Sequence, residues 1–320
     1  MVVTSAASAA PAAVPTWLRA AAVGPGSLED AAFAAAAALT ALDAVVRRQA
    51  RWAGAWRHRL ALTAAAVTAK LAGRVEDEAV LRDAVLLTRA GDDVGPAGRM
   101  LLAWRRLAAR PAEDLLSRKN IAAVLEEFDH AHDDEAVSDL VDELKQLAAK
   151  GGTVGVLTGA FMAVERCGFD RILGAWLADA LLAQRLGWIF AMPLLGGEAA
   201  LGAGAARRRR DVVAGVSPAE TQADRAKSLL VAQARAALRA IDLFAELDRR
   251  SERLLVVAPK LRARASDLVV ERLLSDDAIV ASEQIAGMSD RGLRRLFDRL
   301  VELGAVRELS GRPTFRIYGL

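Results

Sequence analysis

The sequence predicts an all-α helical body carrying a C-terminal winged helix-turn-helix with a short β-hairpin wing. Three observations lead there. Apolar residues recur at helical spacing from Ser27 to Val257, and no strand-like alternation precedes residue 300. Capping residues and glycines punctuate those periodic stretches. Residues 259–320 then read, in order, as helix, short strand, short helix, turn, helix and hairpin.

The bulk properties set limits on function. The 320 residues are 53% hydrophobic, much of it alanine, which is enough to build a core. The one cysteine, Cys167, excludes an intramolecular disulfide and a zinc-ribbon cluster and suits a reducing cytosol, so a cytoplasmic protein is expected. Net charge is only +3 despite an isoelectric point near 9.3. Global steering toward nucleic acid is therefore weak, and a polyanion site has to be local.

Residues 1–26 carry one charge, Arg19, and are interrupted by Pro11 and Pro15. They read as a disordered Ala/Pro tail without the charged start of a secretory leader, with Trp17 and Leu18 docking on the body. The helical body spans 27–195. Ser27, followed by Glu29 and Asp30, opens an Ala-rich helix toward Arg48. A second helix runs from Trp52 to Leu71 and a third from Val75 to Arg89. The fourth opens at Pro96 and stops before Pro111. Ser117 starts a helix through Phe128, and Asp133-Asp134 starts one that ends at Lys150-Gly151-Gly152. Val154–Arg166 and Asp170–Leu186 complete the body. The uncharged runs Gly151–Val164 and Leu186–Gly197 fall short of the roughly 20 residues a spanning helix needs, so no membrane association is expected.

Residues 196–216, rich in glycine and holding Arg207–Arg210, form a linker whose arginines read as solvated. Ser217-Pro218-Ala219-Glu220 starts a long helix, 217–258, which must stop before Pro259. The winged helix occupies 259–320. Its first helix covers Ala265–Ser275, with Leu268, Val269, Leu273 and Leu274 inward. Ala278–Val280 add a short strand, and Ser282–Ala286 a short second helix. Ser289 caps the third helix, and Ala305–Leu309 and Thr314–Tyr318 flank the turn Ser310-Gly311-Arg312-Pro313.

The functional expectation is double-stranded DNA binding. Ser289 starts the recognition helix, Arg291, Arg294 and Arg295 face the bases, and Arg312 and Arg316 on the wing meet phosphate or the minor groove. Gly292 leaves room for close backbone approach. The opposing reading is a protein-contact or homodimerisation unit. From Lys260 onward there are eleven basic and nine acidic residues, and Asp298 and Glu302 share the outer face with the arginines.

Other polar constellations carry less. His130 and Asp134 stand four apart, but further metal ligands are lacking. His58 with Glu76 or Glu165 would be the pair for an enzymatic body. Cys167 beside Arg166 is either a thiol with a lowered pKa or a buried spectator. There is no Walker loop, dinucleotide fingerprint or nucleophile elbow. No catalytic residue, metal or cofactor is assigned, and the small-molecule ligand of the body is left open.

The segment Ala258-Pro259-Lys260-Leu261-Arg262-Ala263 and the ending LFDRLVELGAVRELSGRPTFRIYGL resemble an uncharacterised alphaproteobacterial family known from rhizobia, domain-of-unknown-function family fourteen-oh-three. Glu76–Ala84 with Gly91–Arg99, and Trp176–Trp188, fit it too. The resemblance implies no activity. A fainter similarity is to Fic-type proteins, many of which end in a winged helix with a hairpin like Ser310-Gly311-Arg312. In that comparison Asp170–Leu186 and Pro193-Leu194-Leu195 match a core helix and its following segment. The active-site histidine, the Gly-Asn-Gly anion nest and a second arginine are absent, so the resemblance implies at most a catalytically inactive scaffold.

Overall fold

The computed structural model describes residues 14–24, 26–89, 91–199, 218–261, 263, 265–312 and 314–320. The expected Arg207–Arg210 linker and the Ser217 cap lie outside them. No helix among the described residues is long and apolar enough to cross a membrane.

The body is built from α1 (Thr16–Val23), α2 (Leu28–Val46), α3 (Ala53–Leu71), α4 (Glu78–Leu86), α5 (Gly95–Ala109), α6 (Arg118–Glu127), α7 (Asp134–Lys150), α8 (Thr153–Arg166), α9 (Arg171–Leu186) and the 40-residue α10 (Pro218–Val257). The C-terminal module follows as α11 (Ser266–Ser275), β1 (Ile279–Val280), α12 (Asp290–Glu302), β2 (Arg307–Glu308) and β3 (Ile317–Gly319).

Local chemistry explains most boundaries. Ser27 and Asp30 form a reciprocal capping box, each side chain accepting from the other's main-chain N–H at 3.1 Å. Asp133 accepts from Ala136 N at 2.8 Å to start α7. Asp170 accepts from Ile172 N and Leu173 N to start α9, and Gly187, at φ 64°, ends that helix in the left-handed conformation. Ser117 precedes α6 as expected, but its hydroxyl donates backward to Asp114 O and caps nothing.

α10 lies along α2, α9 along α8, and α5 along α3. The buried face of α2 is Ala31, Ala34, Ala35, Ala38, Leu42 and Val45, a helical stripe of small side chains that lets α10 approach closely. Three indoles tie the layers together. Trp56 Nε1 donates to Ala240 O of α10, Trp176 Nε1 to Ala103 O of α5, and Trp104 Nε1 to Thr68 Oγ1 of α3. Each buried ring therefore has its polar edge satisfied. Asp179, fully buried on α9, accepts from Leu194 N at 2.7 Å and Leu195 N at 2.9 Å, and so fixes the chain entering Gly196. Burial pushes its carboxyl above the ordinary range, against the pull of those N–H groups. A side chain at Gly196 would collide with the Trp104 ring.

Four expectations need correction. The segment read as a disordered tail is helical over Thr16–Val23, with Leu18 and Ala22 buried and Arg19 chelating Asp242 of α10 at 2.6 and 2.9 Å. Trp17 is half exposed and rests on Phe33. Leu268 points outward at 50% exposure, because Val269, Val270, Leu273 and Leu274 already fill the buried face of α11. The short helix expected over Ser282–Ala286 does not form: Glu283 N bonds Val280 O and Met288 N bonds Ile285 O, two separate turns. The two hairpin strands span only Arg307–Glu308 and Ile317–Gly319, shorter than the sequence implied.

Candidate nucleic-acid interface

The module's three strands form an antiparallel sheet in the order β1-β3-β2, with Ile279 opposite Tyr318 and Glu308 opposite Tyr318 on the other side. α12 buries Leu293, Leu296, Phe297 and Leu300, and Phe297 stacks on Tyr318 of the sheet at 4.3 Å, nearly parallel. The strongly segregated α12 thus buries one side and offers the other to solvent.

Ser289 starts that helix as expected, its hydroxyl accepting from Gly292 N at 3.2 Å. Arg291, Arg294 and Arg295 are all exposed, and none has a carboxylate within 4 Å among the described residues. They form one open cationic face on the first two turns. The acidic residues on the outer side are spoken for nearby: Glu302 pairs with Arg299 at 2.6 Å and Asp298 with Arg316 at 3.7 Å.

The two hairpin arginines are placed differently from the other three. Arg312 reaches Asp83 of α4 at 2.9 Å, and Arg82 of α4 donates to Leu309 O at 3.2 Å. Asp83 is largely buried, so the hairpin is clamped to the body at its turn. Glu308 shapes that turn by accepting from Gly311 N at 2.9 Å and Ser310 N at 3.2 Å. The Ser310 hydroxyl above all, and these N–H groups with it, hold its carboxyl below the ordinary range. Gly311 takes φ 61°, and the exposed Phe315 takes φ 54°. Arg316, beside Tyr318 and Asp298, is raised above its usual value by those partners.

A second set of contacts seats the module on α3 and α5. Arg105 holds buried Asp277 at 2.6 Å, and His58 Nδ1 meets Asp276 at 2.8 Å. Arg59 donates to Asp277 O, and Arg250 to Leu320 O at 3.1 Å. Gly54 of α3 lies so close to Ser275 that a side chain there would collide with its carbonyl oxygen. Burial pushes the Asp276 carboxyl up, but His58, Arg272 and Arg105 together hold it below the ordinary range.

The remaining sequence candidates are scattered. His58 faces Asp276, while Glu76 pairs with Arg74 and Glu165 with Arg171. His130 lies 3.5 Å from Asp170 and against Phe169, not with Asp134. Among the described residues no three His, Cys, Asp or Glu side chains are grouped to hold a metal ion. Burial pushes the Cys167 thiol up, opposed by Arg166. The clamp residues Asp83, Asp276 and Asp277 are not legible from sequence as partners across the seam, since Arg312, His58 and Arg105 stand far from them along the chain.

No curated protein and no solved structure matches this chain. A family described as "Protein of unknown function (DUF1403)" matches residues 3–320. The chain, from its first helix to its last strand, therefore belongs to the DUF1403 family.

Proposed function

We propose that this protein is a non-enzymatic, DNA-binding regulator in which a winged helix, seated on a helical body, lays α12 into the major groove of duplex DNA. The observation that carries the reading is the trio Arg291, Arg294 and Arg295, exposed together and without a carboxylate partner among the described residues, at the N-terminal half of a capped helix. Arginines so placed give local positive charge and bidentate donors to guanine edges or phosphates. The strand order β1-β3-β2 around α12 supports the same reading, since a winged helix inserts its first strand beside its last. Arg312 and Arg316 keep their carboxylate partners and serve mainly to fix the hairpin.

The test is fluorescence anisotropy of the full chain with a random-sequence duplex at low salt. Binding is expected, and the double variant Arg294→Ala, Arg295→Ala is expected to weaken it by more than tenfold. No binding at low salt, or a double variant that binds like the wild type, refutes the proposal.

A second reading is a catalytically inactive Fic-like scaffold whose winged helix mediates protein contacts or homodimerisation. It draws on Phe315 at the hairpin tip and Leu268 on α11, 65% and 50% exposed. A dimer in sedimentation that Phe315→Ser dissociates, together with no duplex binding, favours it.

A further inference from the structure

A cavity of about 350 Å3 opens where the end of α2, the start of α3, the loop after α9 and Ser275 of α11 meet. That volume falls in the range of small-molecule sites. Its walls are apolar, with Trp56, Trp188, Ile189, Phe190 and Met192 contributing, and among its described lining residues there is no Asp or Glu. Three arginines do line it, Arg47, Arg51 and Arg57.

Two of the three are neutralised from outside the cavity: Arg47 by Asp43 at 2.7 Å, and Arg51 by Glu271. Arg57 is not. Its Nε donates to Ala108 O at 2.8 Å, its guanidinium carbon lies 4.3 Å from the centre of the Phe190 ring, and no carboxylate stands within 4 Å among the described residues. Burial pulls its pKa down to about 10, which still leaves it charged at neutral pH. A half-buried cation with no counter-ion is costly, and a carbonyl and a ring face offset only part of the loss. The first turn of α3 adds to the imbalance. Trp52 precedes it with no side-chain cap, so the positive end of a 19-residue helix abuts the same space.

We propose that this cavity is a binding site for a small organic carboxylate with an aromatic or branched apolar body. The carboxylate accepts from the two Nη atoms of Arg57, a planar fork suited to two oxygens, and the apolar part lies against Trp188, Ile189 and Phe190. The site stands independently of the DNA-binding proposal, since none of the α12 arginines takes part.

The experiment uses the full chain with anilinonaphthalene sulfonate as the fluorescent anionic probe, displaced by phenylacetate or by its neutral analogue phenylacetamide. Phenylacetate is expected to displace the probe at a concentration about tenfold or more below phenylacetamide. Arg57→Met, which keeps length without charge, is expected to abolish that preference. Ile189→Glu is the second variant. Its exposed position spares the fold, and it supplies a carboxylate at the cavity wall, so phenylacetate should lose its advantage there also. Equal displacement by acid and amide, displacement by neither, or an acid preference that survives both variants overturns the proposal.

Discussion

The proposed duplex binding carries a salt dependence set by the pairing of five arginines. Each phosphate neutralised on B-DNA contributes about −0.9 to the slope of log K against log salt. Arg291, Arg294 and Arg295 have no carboxylate partner among the described residues, whereas Arg312 and Arg316 already face Asp83 and Asp298. A guanidinium that keeps its carboxylate reaches the backbone as a neutral pair and adds little. Three effective charges give a slope of about −2.7, so affinity should fall about 40-fold between roughly 50 and 200 mM salt. Five would give about −4.5 and a loss of about 500-fold. The informative perturbation is Asp83→Asn, which releases Arg312 without touching α12. Anisotropy titrations at four salt concentrations should move the slope from about −2.7 to about −3.6. Arg295→Ala should move it the other way, to about −1.8. A wild-type slope near that for five charges, unmoved by Asp83→Asn, would show that the hairpin clamp opens on DNA and that the accounting is wrong.

Three predictions concern the seam between body and module. Arg105→Met should destabilise the fold by about 3 kcal/mol at neutral pH in urea unfolding, because it strands the buried Asp277 carboxylate. Gly54→Ala should cost about 1–3 kcal/mol through its clash with Ser275 O, seen as a lower midpoint with an unchanged slope. Asp276 is held below its ordinary value in the fold, so its contribution is full above the unfolded carboxyl range and is lost as pH falls through the folded value. Asp276→Asn should therefore narrow the stability gap to wild type progressively below about pH 4, measured by thermal unfolding across pH.

Much of the helical body was legible because its signals are local. Ser27 with Asp30, Asp133, and Asp170 each satisfy N–H groups within three residues of themselves, so their helix starts can be read from neighbouring letters. α1 was missed because Pro15 precedes it, its first turn holds no acidic residue, and it owes its order to Leu18 and to Arg19 gripping Asp242 more than two hundred residues away. The segment Ser282–Ala286 has helical letters, yet the turns at Val280 and Ile285 bring the chain from β1 to Ser289 without a helix. At the candidate interface, sequence found the exposed arginines of α12 and the cap before them. It did not separate free arginines from paired ones, because Asp83 lies on α4 and nothing near Arg312 announces it. The cavity beside α3 was invisible for the same reason: its walls come from three separate stretches of chain.

The seating of Asp276 and Asp277 on His58, Arg59 and Arg105 bears on how portable the C-terminal module is. Many recognition domains can be cut out and grafted, since their polar surfaces are complete in themselves. The C-terminal module leaves Asp277 facing Arg105 and Asp276 facing His58, both of the body, and Ser275 pressed against a glycine that only the body supplies. A fragment beginning at Pro259 would carry Asp277 into solution without Arg105, and would strip His58 from Asp276 while leaving it Arg272. Swapping the module between family members therefore requires exchanging the matching residues of α3 and α5 with it.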